Sequence, residues 1–196
     1  MTIIAAKNIC HQLGEQIIPR KPLSFDLEAG DCLLLRGGNG VGKTTIMRIV
    51  LGQLAYCGRL HYQWPLYSVV HHMMAVFAHD LLPQSMRVSD FINLHQRLYD
   101  LPSLFVHQVS NQLGGEYCQQ IIGTLSQGYQ MRLKLLLVQC ITSHVWILDE
   151  PWTYIDQQIK IQLNESIDAF RQAGGVVICS SHDPGCYSGI TKELLL

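Results

Sequence analysis

A run of glycines ending in Lys-Thr carries the clearest chemistry in this sequence. Residues 37–44 read Gly-Gly-Asn-Gly-Val-Gly-Lys-Thr and fit the phosphate-binding pattern G-x-x-x-x-G-K-[ST]. Glycines let main-chain N–H groups converge on phosphate oxygens, and the amino end of a following helix attracts the same anion. Lys43 would reach the β- and γ-phosphates, and Thr44 would bind Mg²⁺. The spacing predicts a nucleoside triphosphate ligand and leaves kinase, GTPase and transport ATPase open.

Two adjacent carboxylates form a second candidate group. Val145-Trp146-Ile147-Leu148 is an apolar run that ends in Asp149-Glu150. Ligands of open α/β sheets bind beyond the carboxyl ends of strands, where one acid can hold Mg²⁺ and the next can face an attacking water. We therefore expect Asp149 to bind the metal ion and Glu150 to act as the general base.

The elements that must hold these groups alternate between strands and helices. Buried strands are predicted over 32–35, 73–78, 145–148 and 176–179, and helices over 43–51 and about 157–171. Shorter strands are predicted over 3–6 and 23–27. This alternation indicates a mostly parallel sheet with helices on its faces.

The stretch from about 80 to 140 has helical periodicity instead of strand patterns. Val88, Phe91, Ile92, Leu94 and Leu98 are expected to share one helical face, and a second helix is expected over 131–138. We interpret residues 1–196 as a single domain that contains a helical subdomain at about 80–140.

Composition excludes several classes of protein. The chain has 196 residues, 48% of them hydrophobic, with 14 basic and 15 acidic side chains. Intrinsic disorder requires low hydrophobicity and high net charge, which is the opposite of this composition. The net charge of −1 argues against a nucleic-acid partner, which would require a surplus of basic residues. No segment has the roughly 18 apolar residues of a membrane-spanning helix, so the chain is not expected to cross a membrane by itself.

Three further segments resemble the motifs of ABC transporter ATPase subunits. Leu125-Ser126-Gln127-Gly128-Tyr129-Gln130-Met131-Arg132 is similar to the family signature L-S-G-G-Q-x-Q-R. Asp156 follows the acidic pair at the position of the family's D-loop aspartate, and His182 after the last buried strand looks like its switch histidine. Because the motifs occur in the family's order, the resemblance extends over nearly the whole chain.

The resemblance implies a fold and a set of roles. It implies an α/β P-loop NTPase of the ABC ATPase type, with a mixed sheet core, a small antiparallel β subdomain and an inserted α-helical subdomain. It also implies a head-to-tail homodimer in which Ser126 and Gly128 contact the ATP of the partner, with His182 and Lys43 catalytic beside Glu150. The expected nucleotide-binding residues include the whole loop and the start of its helix, namely Gly37, Gly38, Asn39, Gly40, Val41, Gly42, Lys43, Thr44 and Thr45.

This sequence departs from the family pattern at four places. Gln127 and Tyr129 stand where glycine and glutamine are usual in the signature. Asp80 is the best positional match to the family's Q-loop glutamine, and as an oxygen donor it could contribute to the Mg²⁺ site. His11 is the flat ring nearest the position of the adenine-stacking aromatic residue.

Several short runs narrow the resemblance to one branch of the family, namely Leu23-Ser24-Phe25, Asn93-Leu94, residues 146–151, Ile155-Asp156, and residues 174–178 before Ser181-His182. On these runs the chain most resembles the ATPase of cytochrome c maturation haem exporters. This branch implies a peripheral subunit on the cytoplasmic face of the inner membrane, bound to membrane-spanning ABC subunits, whose hydrolysis releases a haem-loaded chaperone. Direct haem binding is not expected, because nine scattered histidines are ordinary in such a protein. The alternatives are another small-substrate ABC exporter ATPase and a soluble P-loop kinase, which would need an acceptor site.

Overall fold

Buried parallel strands form the centre of the fold. In a computed structural model that describes residues 1–65, 72–183 and 185–196, the strands are β1 (Thr2–Leu13), β2 (Gln16–Glu28), β3 (Cys32–Arg36), β4 (Cys57–Tyr62), β5 (Met73–Val76), β6 (Val145–Leu148), β7 (Val176–Ser180) and β8 (Lys192–Leu195). The helices are α1 (Lys43–Val50), α2 (Val88–Leu98), α3 (Leu104–Leu113), α4 (Gln127–Cys140) and α5 (Gln157–Gln172). Short 3₁₀ turns lie at Gly115–Tyr117 and Ile122–Thr124.

The chain divides into two compact units. The sheet unit contains Met1–Phe77, Ser143–Pro151 and Asn164–Leu196. The helical unit contains Ala78–Thr142 and Trp152–Leu163.

The sheet unit holds two sheets. Five strands pair in parallel in the order β5-β6-β7-β3-β8, and three pair antiparallel in the order β2-β1-β4. Every residue of β6 and β7 is buried, as expected of central parallel strands covered on both faces. The expected α/β architecture with an additional antiparallel sheet is therefore confirmed.

The antiparallel strands extend well beyond their predicted bounds. The predictions of 3–6 and 23–27 were too short, because β1 and β2 have 12 and 13 residues. Leu13 pairs with Gln16 across a two-residue turn at Gly14, where φ is 61°. Main-chain pairing in this hairpin continues through polar residues that give no alternating apolar pattern.

The helical unit contains α2, α3 and α4. Val88, Phe91 and Ile92 of α2 are buried, but Leu94 and Leu98 are 40% and 67% exposed, so the prediction that they share the buried face is wrong. His95 follows Phe91 on the packed side instead, with ring centroids 4.4 Å apart. The packed stripe therefore runs through the buried positions 88, 91 and 92 and the half-buried position 95, the usual spacing of one helical face.

Candidate active site

The glycine-rich loop connects β3 to α1. Gly42 is the N-cap of α1 and has a φ of 111°, a conformation that favours glycine. A Cβ at this position would lie 2.7 Å from Ile18 Cγ2, so the close approach of β2 also requires glycine here. Thr45 is half-buried within α1. The sequence thus forms the strand, loop and helix that a phosphate-binding loop needs.

Lys43 is buried at the centre of this loop. Its Nζ donates hydrogen bonds to the carbonyls of Gly37 and Gly38, at 2.8 and 3.2 Å. The same atom lies 3.7 Å from Glu150 Oε1. The lysine charge is therefore held between the loop and the acidic end of β6, where it can attract phosphate oxygens.

Asp149 is bound on both sides by hydroxyl groups. Thr44 Oγ1 donates to Asp149 Oδ2 at 2.7 Å, and Ser180 Oγ donates to Oδ1 at 2.6 Å. Ser180 Oγ also accepts a hydrogen bond from the Glu150 N–H at 2.9 Å. Sequence reasoning missed Ser180, although its place at the end of a buried strand, two residues before His182, is a signal that could have identified it.

Glu150 and His182 lie together at the edge of the sheet. His182 Nε2 is 3.0 Å from Glu150 Oε1, and the His182 main-chain N–H donates to Oε2 at 3.3 Å. Glu150 has a φ of 50°, a left-handed conformation that residues other than glycine rarely adopt and that active sites can retain. This turn brings the Glu150 carboxylate near Lys43 and His182, so both carboxylates of the pair belong to one site.

In the helical unit, Ser126 is the N-cap of α4 and its Oγ accepts a hydrogen bond from the Tyr129 N–H at 3.3 Å. A Cβ at Gly128 would lie 2.5 Å from the carbonyl oxygen of Tyr154, so only glycine fits there. The Tyr129 ring packs on Tyr117 with centroids 4.0 Å apart, and their hydrogen bond raises the pKa of Tyr117. The unusual tyrosine of the signature is therefore packed within its own unit.

Two other predicted site residues have different surroundings. His11 Nδ1 lies 2.7 Å from the carbonyl oxygen of Ala55. Asp80 lies in the helical unit, where its carbonyl accepts a hydrogen bond from Lys134 Nζ at 2.5 Å. Burial lowers the pKa of the Lys134 amine, and the charge of Asp80 opposes that shift.

A cavity of about 770 Å³ lies beside the glycine-rich loop. One wall is the segment 16–21 of β2, another is Asn39, Gly40 and Val41 of the loop, and Leu195 and Leu196 line a third side. Its lining includes Ile17, Ile18 and Val41 but neither His11 nor any aromatic residue. The lining is mixed, because Gln16, Arg20, Lys21 and Asn39 add polar and basic groups to the aliphatic side chains.

Comparisons with known proteins agree with this geometry. The family model "ABC transporter" matches residues 20–153. The cytochrome c biogenesis ATP-binding export protein CcmA of Shewanella frigidimarina is 30% identical over 192 residues, which cover 92% of this chain and 87% of that protein. CcmA of Escherichia coli K12 is 30% identical over 167 residues, or 83% of this chain and 81% of the relative.

Solved structures show the same fold. An ABC transporter ATP-binding protein from Pyrococcus furiosus has a TM-score of 0.80 at 21% identity, over 98% of this chain and 96% of that chain. None of the helices in the described part of the chain is long and apolar enough to span a membrane. The chain therefore belongs to the ABC transporter family, in which it is an ATP-hydrolysing subunit of a transporter.

Proposed function

We propose that this chain is the ATPase of a cytochrome c maturation haem exporter, in which ATP hydrolysis drives release of the haem-loaded chaperone. The observation that carries the proposal is the 30% identity to CcmA over 92% of the chain. The residues expected to perform hydrolysis are also close together in the sheet unit, as the distances between Lys43, Glu150 and His182 indicate.

Hydrolysis in this proposal begins with ATP on the glycine-rich loop. Main-chain N–H groups of residues 37–45 and the Lys43 ammonium bind the phosphates. Glu150 accepts a proton from the attacking water, and His182, held by Glu150 at 3.0 Å, contacts the γ-phosphate. The Glu150 side chain is 14% exposed, so the base is partly shielded from solvent.

The donor atoms beside the loop suit Mg²⁺, which prefers oxygen ligands and commonly takes one or two carboxylates together with substrate phosphates. We assign the ion to Thr44 Oγ1 and Asp149 Oδ2, which are 2.7 Å apart. When bound, Mg²⁺ neutralises charge on the phosphates. A contribution from Asp80 stays a prediction.

The cavity beside the loop is our candidate for the nucleobase site. Its aliphatic side chains, Ile17, Ile18 and Val41, offer apolar contact to a flat base without aromatic stacking. Contact between His11 and the base also stays a prediction.

We further propose a head-to-tail homodimer. The amino end of α4, capped by Ser126, supplies N–H groups and a positive dipole end that can bind the γ-phosphate of the partner's ATP. The dimer would act as a peripheral assembly on the cytoplasmic face of the inner membrane, bound to membrane-spanning ABC subunits. No nucleic acid or direct haem binding is part of this proposal.

The test is genetic and biochemical. Removal of this chain from its source cell should abolish cytochromes with covalently attached haem, measured by haem staining of gels. Reintroduction of the wild-type chain should restore them, and an equal amount of the Glu150→Gln variant should not. Normal cytochrome c levels without the chain would favour another exporter, and transfer of phosphate to a small acceptor would favour a kinase.

A further inference from the structure

A pair of histidines lies at the end of the parallel sheet opposite to Asp149. His72 directly precedes β5 and His144 directly precedes β6, and these strands pair with Met73 opposite Val145. The His144 N–H donates to the His72 carbonyl at 2.8 Å. The main chain therefore holds the two side chains next to each other.

The two imidazoles face each other through the same ring atom. Their Nδ1 atoms are 3.1 Å apart, whereas their ring centroids are 4.9 Å apart. Trp64 stacks on His72 at 4.6 Å with a 26° angle between planes, and lies 5.8 Å from His144. This packing limits rotation of the rings, so the facing arrangement is built into the fold.

We propose that His72 and His144 form a binding site for one late first-row divalent transition-metal ion. Metal-to-imidazole bonds of 2.0–2.1 Å place two ligand nitrogens about 2.9 Å apart at right angles and about 3.3 Å apart in a tetrahedron. The observed 3.1 Å falls between these values. When both imidazoles are neutral, one Nδ1 carries a proton and donates it in a hydrogen bond to the other Nδ1. The metal ion would take the place of this proton.

The remaining ligands would be water. Within residues 1–65, 72–183 and 185–196, no group of three His, Cys, Asp or Glu side chains could hold a metal ion, so none of these residues adds a third such ligand to the pair. His144 is exposed, which leaves room for solvent to complete the coordination. Imidazole suits nickel, copper and zinc, whereas Mg²⁺ prefers oxygen, so this site is chemically distinct from the nucleotide site.

The stacked indole provides a direct readout. Ni²⁺ titrated into the full-length chain, prepared without a histidine tag, should quench tryptophan fluorescence in a saturable way because Trp64 packs on both imidazoles. His72→Gln and His144→Gln should each raise the Ni²⁺ concentration at half-quenching by about tenfold or more. His107→Gln, a change at an exposed histidine of α3, should leave the titration unchanged.

A second variant separates binding from the signal. Trp64→Phe should keep Ni²⁺ binding in calorimetry while losing most of the quenching, since Trp64 is the indole that packs on the two histidines. Circular dichroism and ATP binding check that each variant is folded. The proposal is overturned if the wild type shows no saturable quenching, or if His144→Gln responds to Ni²⁺ as the wild type does.

Discussion

The side-chain hydroxyl of Ser180 connects the two acidic residues of the active site through two hydrogen bonds. The buried hydroxyl donates to Asp149 and accepts from the main chain of Glu150. The second bond holds Glu150 in a backbone conformation with a φ of 50°, which is unfavourable for residues other than glycine. Ser180 therefore acts as a positioning residue for the proposed metal ligand and the proposed base.

We expect Ser180→Ala to lower kcat for ATP hydrolysis by about tenfold, because it removes the partner of a buried carboxylate oxygen and of an N–H group, at a cost of about 1–3 kcal/mol. The Mg²⁺ concentration for half-maximal activity should rise as well. Steady-state kinetics with varied Mg²⁺ measures both. Ser181→Ala is the matched control, because this hydroxyl bonds to the main chain of Asp183 and to the Cys186 thiol, neither of which is an acidic side chain of the active site, and we expect a smaller effect. A kcat of Ser180→Ala equal to that of the wild type would contradict the positioning role of Ser180.

At the scale of elements, Asp31 ties the turn between β2 and β3 to β8. Its carboxylate accepts hydrogen bonds from the Glu28 N–H at 2.7 Å, from Lys192 Nζ at 2.7 Å and from Thr191 Oγ1 at 3.0 Å. Burial, the largest single influence, raises the pKa of Asp31, but these bonds together lower it below its usual value. The carboxylate form therefore stabilises the fold.

Asp31→Asn should lower the free energy of unfolding by about 2 kcal/mol at pH 7. Because the pKa is depressed in the folded state, this stabilisation is complete above the unfolded pKa of about 3.9 and is lost as pH falls through the lower folded pKa. Urea unfolding of the wild type and of Asp31→Asn at pH 7, 4.5 and 3.5 measures the difference in their free energies of unfolding. This difference should narrow only at the lowest pH.

The control for this series is Glu193→Gln, which breaks an exposed ion pair with Arg36. Such surface pairs contribute little, so its unfolding midpoint should stay near that of the wild type. An equal loss of stability in the two variants would contradict the special role of Asp31.

At the scale of the whole molecule, the proposed function requires two copies of the chain. A surplus of apolar residues over charged ones suits a protein with several covered surfaces, since the cores of interfaces are depleted of charge. ATP bound between the loop of one copy and the signature of the other would stabilise the dimer, and hydrolysis would remove that stabilisation.

Glu150→Gln should accumulate an ATP-bound dimer, because nucleotide binding survives while the base is lost. Size-exclusion chromatography with light scattering, in saturating ATP and Mg²⁺, measures its mass. Lys43→Ala should stay monomeric under the same conditions, because it lacks the ammonium that binds the phosphates. A Glu150→Gln protein that remains monomeric would count against the head-to-tail model.

The predictable parts of the fold were those with strong local patterns. The buried strand before the glycines, the helix after them and β6 are recognisable because apolar runs and glycine turns are properties of neighbouring residues. The local pattern did not predict the lengths of β1 and β2 or the presence of β4. Polar residues enter strands when a partner strand supplies their main-chain hydrogen bonds.

The sequence by itself indicated the phosphate loop and the acidic strand end, which are short contiguous motifs, and the family, which follows from the order of such motifs along the chain. Only the tertiary structure decided that Ser180 binds Asp149 across 31 residues, and that His72 faces His144 across 72. Both pairs result from the order and register of parallel strands, which bring distant residues to the same edge of a sheet. No local pattern encodes that order, because it depends on how the whole chain packs.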